Sequence, residues 1–471
     1  MTNESSSRRW LIFSIVGIGV FMSTLDSSIV NVALPTIMKE FGSTLSTVEW
    51  VMMIYLLTVS SLLMSFGRLS DIRGRRWVYT RGLLVFSLGS LCCAFSVNAV
   101  SLIVSRAFQG LGAAMIMSCT QAIVVETFPP SQRGKSLGSL GAVVASGLTA
   151  GPALGGWILQ VFSWQTIFYI NIPIGLLTAF AAGRILKGGV SDVIRAEKFD
   201  RSGAVLMTMA TGTFLFVITH GYEWGYDSIP IVCLAAAFVI SFAGLIWQEL
   251  RCPAPLFPPY LLKIRLFTLP VLALTILFIG LFTVIFLMPF FLMHPCGFPA
   301  GKTGLVMMTP FAFLFVIAPL AGNLSDRIGS RILCTIGMGI LSLSFFFLSN
   351  LEPGMPVFSI AWPLAMSGIG VALFTAPNNS LIMGSVPPKY MGIAAGTVAT
   401  VRNLGMVLGI AMAGTIFNSV FQNLSGGEVL RGYRAELEPV YMAAFRQAMR
   451  AGGLVAGIGI FVTFIRGTEK K

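Results

Sequence analysis

The sequence predicts an all-α integral membrane protein made of two pseudo-symmetric six-helix bundles with two extra helices between them. The first observation is composition: the 471-residue chain is 55% hydrophobic and only 10% charged, whereas a soluble domain carries roughly 25% charged residues. The second is that apolar runs of about 20 residues, long enough to span a bilayer, recur along the whole chain. The third is an internal repeat. Counting one helix per run predicts about 14 transmembrane helices.

The internal repeat has two echoes. GRLSDIRGRR at 67–76 recurs, loosened, as GNLSDRIGSR at 322–331, an offset of 255 residues. PPSQRGKSLGSLGAVVASGLTAGPALGG at 129–156 recurs as PPKYMGIAAGTVATVRNLGMVLGIAMAG at 387–414, an offset of 258 residues. Two collinear echoes indicate a duplicated half, and a parallel duplication in a membrane chain is typical of transporters.

The apolar runs give the order of the elements. They lie near 11–34, 48–67, 78–98, 100–124, 136–158, 165–186, 203–219, 229–247, 268–292, 302–322, 332–349, 357–384, 391–418 and 443–465. Six helices with short loops would give an offset of roughly 190 residues, so the larger offset leaves room for the runs at 203–219 and 229–247. The sequence therefore predicts an N-terminal six-helix bundle at 1–187, cytoplasmic linkers and two accessory helices at 188–266, and a C-terminal six-helix bundle at 267–471.

The net charge of +13 reflects topology. With the N-terminus in the cytoplasm, most of the 31 Lys and Arg residues fall in cytoplasmic loops, as the positive-inside rule requires. An even number of helices then places both termini and both SDxxG loops in the cytoplasm. We therefore expect no nucleic-acid partner and a multi-pass protein surrounded by membrane lipid.

The sequence favours a transporter over an enzyme. The seven cysteines lie mostly in apolar runs without metal-ligand spacing, which predicts no metal site. GKS at 134–136 and GKT at 301–303 lack the earlier glycine of a phosphate-binding loop. No nucleophile and base stand out as a pair. We expect no cofactor, with transport driven by the proton gradient.

Several motifs resemble those of the major facilitator superfamily, in particular its drug:proton antiporter branch with fourteen helices. The similar segments are GRLSDIRGRR (67–76), RAFQGLGAA (106–114), GLTAGPALGG (147–156), LDSSIVNVALP (25–35) and WQTIFYINIPIG (164–175). The resemblance covers nearly the whole chain. It implies alternating access, multidrug efflux with antibiotic resistance, and residence in a bacterial cytoplasmic (inner) membrane. We expect a monomer.

Asp26 and Arg106 are the predicted proton-coupling residues. Asp26 is the only acid that the apolar runs place clearly inside a spanning segment, and intramembrane acids are by default functional hypotheses. A carboxyl group that is protonated in one access state and deprotonated in the other would carry a proton. The resemblance implies that Arg106 tunes this coupling, with Asp26 as its partner. The structural alternatives are that Asp26 caps a broken helix or pairs permanently with an arginine, and that Arg106 pairs with backbone carbonyls.

The glycine-rich fifth helix and the two SDxxG loops are the predicted moving parts. Small residues allow close helix packing, and the resemblance makes this segment the antiporter helix: Gly147, Gly151, Pro152, Gly155 and Gly156. The resemblance also makes the loops a cytoplasmic gating latch, formed by Gly67, Asp71, Gly74, Arg75, Asp326 and Arg327. The glycines are expected to form the tight turn, and the aspartates to lie at a helix N-terminus, favoured by its dipole. The alternatives are plain tight packing and a solvated basic loop.

The predicted substrate site is a cavity lined by Phe and Met side chains. The chain has 37 Phe and 23 Met residues, and a cavity lined by them would suit lipophilic molecules. The candidates are Asn31, Gln109, Phe282, Phe286, Met307 and Arg402. A single membrane acid favours monocationic or neutral compounds.

The sequence thus predicts a proton-coupled antiporter that exports lipophilic compounds. One alternative has the same fold and exports a lipid, siderophore or anionic metabolite that intramembrane arginines hold. A nutrient symporter is disfavoured by the GPALGG helix. A membrane receptor or scaffold without transport is the alternative of another class.

Overall fold

Fourteen long helices make up most of the described part of the chain. The computed structural model describes residues 2–129, 132–186, 201–251, 259–387 and 390–467. The helices are α1 (Thr2–Phe41), α2 (Leu45–Arg73), α3 (Arg75–Ala94), α4 (Ala99–Thr127), α5 (Arg133–Val161), α6 (Asn171–Ile185), α7 (Arg201–Trp224), α8 (Ile229–Arg251), α9 (Arg265–Met293), α10 (Ala300–Ile328), α11 (Ser330–Leu348), α12 (Val357–Gly384), α13 (Met391–Ser425) and α14 (Glu438–Ile465). A four-residue helix, Thr166–Tyr169, leads into α6, and a 3-10 helix, Pro259–Lys263, precedes α9.

The helices are membrane helices by length and composition. Within the described residues, thirteen are long and apolar enough to cross a bilayer. The exception is α7, whose apolar stretch, Val205–Ile218, is shorter. The sequence prediction of an all-α membrane fold is thus confirmed, and the two runs predicted between the halves correspond to α7 and α8. The domain boundaries stay a prediction, and residues 188–200 and 252–258 lie outside the described part.

Local sequence sets several helix ends. Thr44 caps α2 by accepting a hydrogen bond from the Thr47 N–H. Asn98 and Ser101 form a capping box at α4. Gly74 and Gly329 occupy the single-residue turns after α2 and α10, with φ of 94° and 87°. Because side chains other than glycine disfavour positive φ, both SDxxG loops need glycine there, as the sequence predicts.

The helices of the two halves pack in the same pattern. In the first half, α1 packs against α5, and α4 against α2 and α3. In the second half, α9 packs against α13, and α12 against α10 and α11. The glycines follow the repeat as well: Gly151 lies against Ser28 of α1, and its counterpart Gly409 lies against Ile279 of α9. The duplication seen in the sequence is therefore a duplication of packing.

The two halves meet on the side away from the chain termini, which we call the distal side. Its loops include 42–44 and 426–437. Two contacts join the halves there, between α5 and α10 and between α2 and α13, and we call them the distal contacts. A backbone hydrogen bond of 3.2 Å from the Leu45 N–H to the Leu430 carbonyl accompanies them.

The accessory helices α7 and α8 form a pair beside one distal contact. α7 packs against α8, and also against α2 and α13. The Thr208 hydroxyl donates to the Ser61 carbonyl of α2 at 3.2 Å. The apolar face of α8 is left largely uncovered by protein, since only 11% of its spanning window is buried. α7 therefore links the halves, and α8 covers α7 on the lipid side.

Candidate functional site: a buried ion pair

An ion pair between α1 and α4 lies at the centre of the first half. Asp26 is 0% exposed and Arg106 is 1% exposed. The Arg106 Nη1 donates to the Asp26 Oδ2 at 2.5 Å. α1 is continuous through this point, so Asp26 does not cap a broken helix. The structure therefore brings together the two residues that the sequence predicts as a coupling pair.

Two amides complete the hydrogen bonding of the Asp26 carboxylate. The Gln109 Nε2 donates to the Asp26 Oδ1 at 2.9 Å. The Asn171 Nδ2, from the start of α6, donates to the same oxygen at 2.8 Å. Both carboxylate oxygens are thus engaged, which is the condition under which a buried charge is tolerated.

Arg106 has further partners on neighbouring helices. Its Nε donates to the Val51 carbonyl of α2 at 3.1 Å, and its Nη1 donates to the Gln109 Oε1 at 2.6 Å. Its guanidinium lies 4.2 Å from the centroid of the Tyr55 ring, a favourable cation–π geometry. The Gln109 Nε2 also donates to the Ser90 Oγ of α3 at 2.8 Å. The network therefore joins α1, α2, α3, α4 and α6.

A proton added at the Asp26 carboxylate would change the contacts around it in two ways. Protonation would remove the charge that balances Arg106. It would also add an O–H donor where all three present neighbours donate. A change of protonation state would therefore have to reorient at least one of these neighbours, and the dependence of the Arg106 contacts on the charge of Asp26 is a physical basis for coupling a proton to a conformation.

The same helix carries two contacts that a rearrangement would reach. The Ser28 hydroxyl donates to the Leu148 carbonyl of α5 at 2.9 Å. Five residues beyond Asp26, the Asn31 Nδ2 donates across the halves to the Ile285 carbonyl of α9 at 2.5 Å. α1 thus connects the ion pair to the glycine-rich helix and to the second half.

Most of the predicted substrate residues are enclosed in this conformation. Gln109 belongs to the ion-pair network, and Asn31 bridges the halves. Phe282, Phe286 and Met307 are buried in the core. Contact of any of these three with a substrate requires the surrounding helices to separate, and their role stays a prediction.

Arg402 differs from the other candidates because it is partly exposed. It lies about a third of the way along α13, and its Nε is buried without a hydrogen-bond partner within the described part of the chain. It is the only charged residue in the α13 sequence. Its role also stays a prediction.

The predicted antiporter helix divides its packing between the two halves. Gly147, Gly151 and Gly155 lie against α1 of the same half. Gly156 faces α10 of the other half, where a β-carbon would stand 2.6 Å from the Ala300 carbonyl oxygen and 3.0 Å from the Gly304 Cα. The Pro152 carbonyl also abuts Gly304. Among these residues, the contacts with the partner half therefore lie toward the distal end of the helix.

The first SDxxG loop makes its described contacts inside its own half. Arg75 forms an ion pair with Asp71 at 3.3 Å and another with Glu126. Its Nη1 also donates to the Ala122 carbonyl at 3.1 Å. Arg75 thus ties together the ends of α2, α3 and α4, and a latch to the other half stays a prediction.

The expectation that the loop aspartates lie at a helix N-terminus is wrong. Asp71 lies in the last turn of α2, and Asp326 in the last turn of α10. A carboxylate at a helix C-terminus faces the negative end of the dipole, so Arg75 supplies the favourable charge for Asp71. The side chain of Asp326 lies outside the described part, while Arg327 is exposed.

Two residues in this region were not predicted from the sequence. Asn171 donates to Asp26, and it stands in the segment WQTIFYINIPIG as a lone amide in an apolar run, which is a weak signal. Glu49 is 4% exposed inside the spanning part of α2. The expectation that Asp26 is the only acid in a spanning segment is therefore wrong.

The fold and this buried network define a transporter of the major facilitator superfamily. A family model described as Major Facilitator Superfamily matches residues 16–410, and the chain belongs to that family. It is therefore a membrane transporter of a small molecule and not an enzyme.

Relatives point to transport of different compounds. Riboflavin transporter RibZ of Clostridioides difficile (strain 630) is 34% identical over 467 residues, 98% of this chain and 99% of that protein. Multidrug resistance protein Stp of Mycobacterium tuberculosis (strain ATCC 25618 / H37Rv) is 30% identical over 401 residues, 85% of this chain and 74% of that protein.

A solved structure shares the fold. It is a bacterial homologue of the human lysosomal transporter Spinster, with a TM-score of 0.68 and 14% identity, covering 98% of this chain and 97% of that one.

Proposed function

We propose that this protein is a proton-coupled antiporter that exports lipophilic, monocationic or neutral compounds by alternating access. The observation that carries the proposal is the enclosed Asp26–Arg106 pair, held by Gln109 and Asn171. A purely structural helix contact would be met more cheaply by apolar packing. The relative named as a multidrug resistance protein supports this class of substrate.

The proposed cycle couples protonation of Asp26 to movement of α1. With both termini in the cytoplasm, the distal side faces outward, and the distal contacts close the outer end. Opening of that end would admit a proton to Asp26, release Arg106 and shift α1 against α5 and α9. Return of the proton to the cytoplasm would restore the ion pair described here.

A second candidate substrate is riboflavin or another planar, uncharged heteroaromatic compound. The relative named as a riboflavin transporter, aligned over nearly the whole of both chains, favours it. It differs from the monocationic members of the first class in that no cationic charge competes with the proton at Asp26. The anionic alternative, with Arg402 as the charge partner, and a receptor without transport are tested by the same experiment.

The test uses the purified chain in liposomes with an imposed pH gradient. A panel of lipophilic monocations, neutral amphiphiles, riboflavin and organic anions is added, and proton movement and compound uptake are recorded. The variants are Asp26→Asn, and Glu40→Gln as a control at an exposed acid of the same helix.

Each outcome selects one hypothesis. Proton movement that depends on a monocation or neutral compound and disappears in Asp26→Asn supports antiport with Asp26 as the carrier. Movement that survives in Asp26→Asn places the proton elsewhere. Flux of anions alone favours the Arg402 alternative, riboflavin flux without proton movement favours uncoupled flavin transport, and binding without any flux favours a receptor.

A further inference from the structure

The two SDxxG loops differ in the residue that follows their turn glycine. The offset of 255 residues aligns Arg75, the first residue of α3, with Ser330, the first residue of α11. In the first half, Arg75 joins the ends of α2, α3 and α4 through Asp71, Glu126 and the Ala122 carbonyl. A serine side chain is too short to make the same set of contacts, and it carries no charge. The second loop therefore has no cation at this position.

The packing of the neighbouring helices supports this alignment. In the first half, Gly82 of α3 lies against Gly112 of α4. In the second half, Gly337 of α11 lies against Gly370 of α12. The offset of 255 residues relates the first member of each pair, and the offset of 258 residues relates the second. α11 and α12 therefore meet in the same register as α3 and α4.

A cation reaches the start of α11 from another helix of the second half. Arg466 directly follows α14 as its C-cap and is 1% exposed. Its Nη2 donates to the Ser330 Oγ, and its Nη1 donates to the Asn378 Oδ1 of α12 at 3.3 Å. The Asn378 Nδ2 donates in turn to the Pro270 carbonyl of α9 at 3.1 Å. Arg466 therefore joins α11, α12 and α14, and it reaches α9 through Asn378.

The two halves place this cation on different helices. α6 packs against α3 as α14 packs against α11, and the C-cap of α6 is Leu186, which is buried. An apolar side chain thus stands where the second half has Arg466. The offset of 258 residues places the counterpart of Ala122 two residues after Asn378, so Arg75 and Arg466 bind corresponding turns of α4 and α12.

We propose that Arg466 is the positioning residue of the second SDxxG loop and has the role there that Arg75 has in the first. A guanidinium holds several N–H donors in one rigid plane, so a single buried group can fix two helices at once. At the end of α14, the helix dipole favours a cation. Arg466 keeps the loop and its helices together as one body when the halves move. Its effect on transport rests on the proposed function, because alternating access requires that movement.

The experiment measures hydrogen–deuterium exchange in the full-length protein in nanodiscs, without substrate. The segments of interest are 330–336 at the start of α11 and 374–384 at the end of α12. Arg466→Leu copies the end of α6, and Arg466→Leu combined with Ser330→Arg copies the whole arrangement of the first half. The matched control is Arg265→Gln, at an exposed arginine that donates to the carbonyl of Ile465, the residue before Arg466.

The expected result is a severalfold faster deuterium uptake in both segments of Arg466→Leu. Loss of the guanidinium leaves Ser330 and Asn378 without their charged donor, which weakens the hydrogen bonding between the helices. Arg265→Gln should match the unmodified chain in both segments. The double variant should return to slow uptake. Because the double variant keeps a leucine at position 466, its recovery would show that the cation matters and not the packing of that side chain.

Liposome uptake gives a second readout that packing alone would not move in the same way. The maximal transport rate of Arg466→Leu should fall severalfold, and the KM for the transported compound should stay unchanged. A loss of turnover without a change in KM indicates a slower conformational step, as expected for a residue that acts through the loop. The double variant should recover the rate.

Two results overturn the proposal: unchanged exchange in Arg466→Leu, or exchange in the double variant as fast as in Arg466→Leu. If Arg466→Leu yields no folded protein, recovery of folded protein in the double variant is the rescue, and failure of both variants refutes the proposal. The antiport is judged separately. If no compound drives proton movement in liposomes, the antiport fails, and the exchange pattern still decides the role of Arg466.

Discussion

At the residue scale, removing one member of the Asp26–Arg106 ion pair should destabilise the fold more than removing both. Arg106→Gln leaves the Asp26 carboxylate buried without its cation, and Asp26→Asn leaves Arg106 without its anion. Breaking a buried pair on one side typically costs about 3–5 kcal/mol. Each single variant should therefore unfold at lower temperature, and the double variant should recover part of the loss.

Thermal unfolding in detergent measures this double-mutant cycle. The coupling term should be several times larger than that of the exposed pair Arg446–Glu352, which lies 3.1 Å apart on the distal side and serves as control. Additive losses at Asp26 and Arg106 would mean that the two side chains do not depend on each other.

His294, just after α9, gives a second prediction at this scale. Burial, and to a lesser extent the charge of Lys39, lowers the pKa of His294 from 6.5 to about 4. Between pH 6.5 and about 4, the unfolded chain therefore binds a proton at His294 that the folded chain does not bind. Stability should fall by up to about 3 kcal/mol as pH drops from about 6.5 to 4, and stay flat above.

The measurement compares unfolding temperatures of the unmodified chain and His294→Gln from pH 7.5 to 4.5. Carboxyl groups titrate in the same range in both proteins, so the difference between the two curves isolates His294. The unmodified chain should lose stability relative to His294→Gln as the pH falls. Parallel curves would show that His294, which stacks on Tyr433 with ring centroids 5.8 Å apart, accepts a proton as readily when folded.

The sequence predicted the charged members of the site but not its neutral ones. Asp26 and Arg106 stand out because a charge in an apolar run is rare. Asn171 does not, since a neutral amide is common in such runs, and only the fold brings it to Asp26. Glu49 lies near the start of a spanning segment. Hydropathy alone does not distinguish a solvent-exposed helix end there from a contact buried between the halves.

At the element scale, the two ends of α5 should respond differently to the same substitution. Gly156→Val would insert a side chain between α5 and α10, where even a β-carbon would stand only 3.0 Å from the Gly304 Cα. Gly138→Val, nearer the start of the helix, meets nothing within 4 Å. Both changes alter helix propensity alike, so their difference reports packing alone.

Gly156→Val should oppose distal closure by about 1–3 kcal/mol, the usual cost of overpacking, and reduce transport severalfold or more. Gly138→Val should transport nearly as well as the unmodified chain. Liposome uptake measures transport. The distance between spin labels on Ser43→Cys and Gly432→Cys, in the distal loops of the two halves, measures closure. Equal transport by the two variants would show that closure does not require this glycine.

The positions of the helices were predicted well because the bilayer demands long apolar helices. Their ends were not: α1 begins at Thr2 and α13 continues to Ser425, since polar turns extend helices beyond the apolar run. The apolar pattern also left open which Phe residues face a cavity. Phe286 lies in the core beside Phe290, with ring centroids 5.6 Å apart, a placement that only tertiary packing decides.

At the scale of the whole molecule, the repeat offset predicted six helices, two helices and six helices. It did not predict which side of the molecule is closed, because both halves keep their internal packing when they move relative to each other. The side is set by the distal contacts, where Ser46 meets Asn418 and Gly301 meets Gln160. Because the two pairs are related by the repeat, we expect cross-links at either pair to have the same effect.

Cross-linking either pair should trap the transporter in one state. The double variants Ser46→Cys with Asn418→Cys, and Gly301→Cys with Gln160→Cys, place one thiol on each half at positions that are in contact here. With an added mild oxidant, which takes up the two electrons, a disulfide should form readily because the closed contacts hold the partners together. Transport should stop in both cases and return with reductant, because alternating access needs both distal contacts to open.

Gel mobility, measured after proteolysis within residues 187–200, reports whether the two halves are cross-linked. Liposome uptake by the same sample reports transport. Each single-cysteine variant controls for disulfides with native cysteines. If only one pair blocked transport, the halves would separate by hinging about the other contact, and the two distal contacts would be a gate and a pivot. If neither did, transport would proceed without distal opening, and alternating access about the two halves would be refuted.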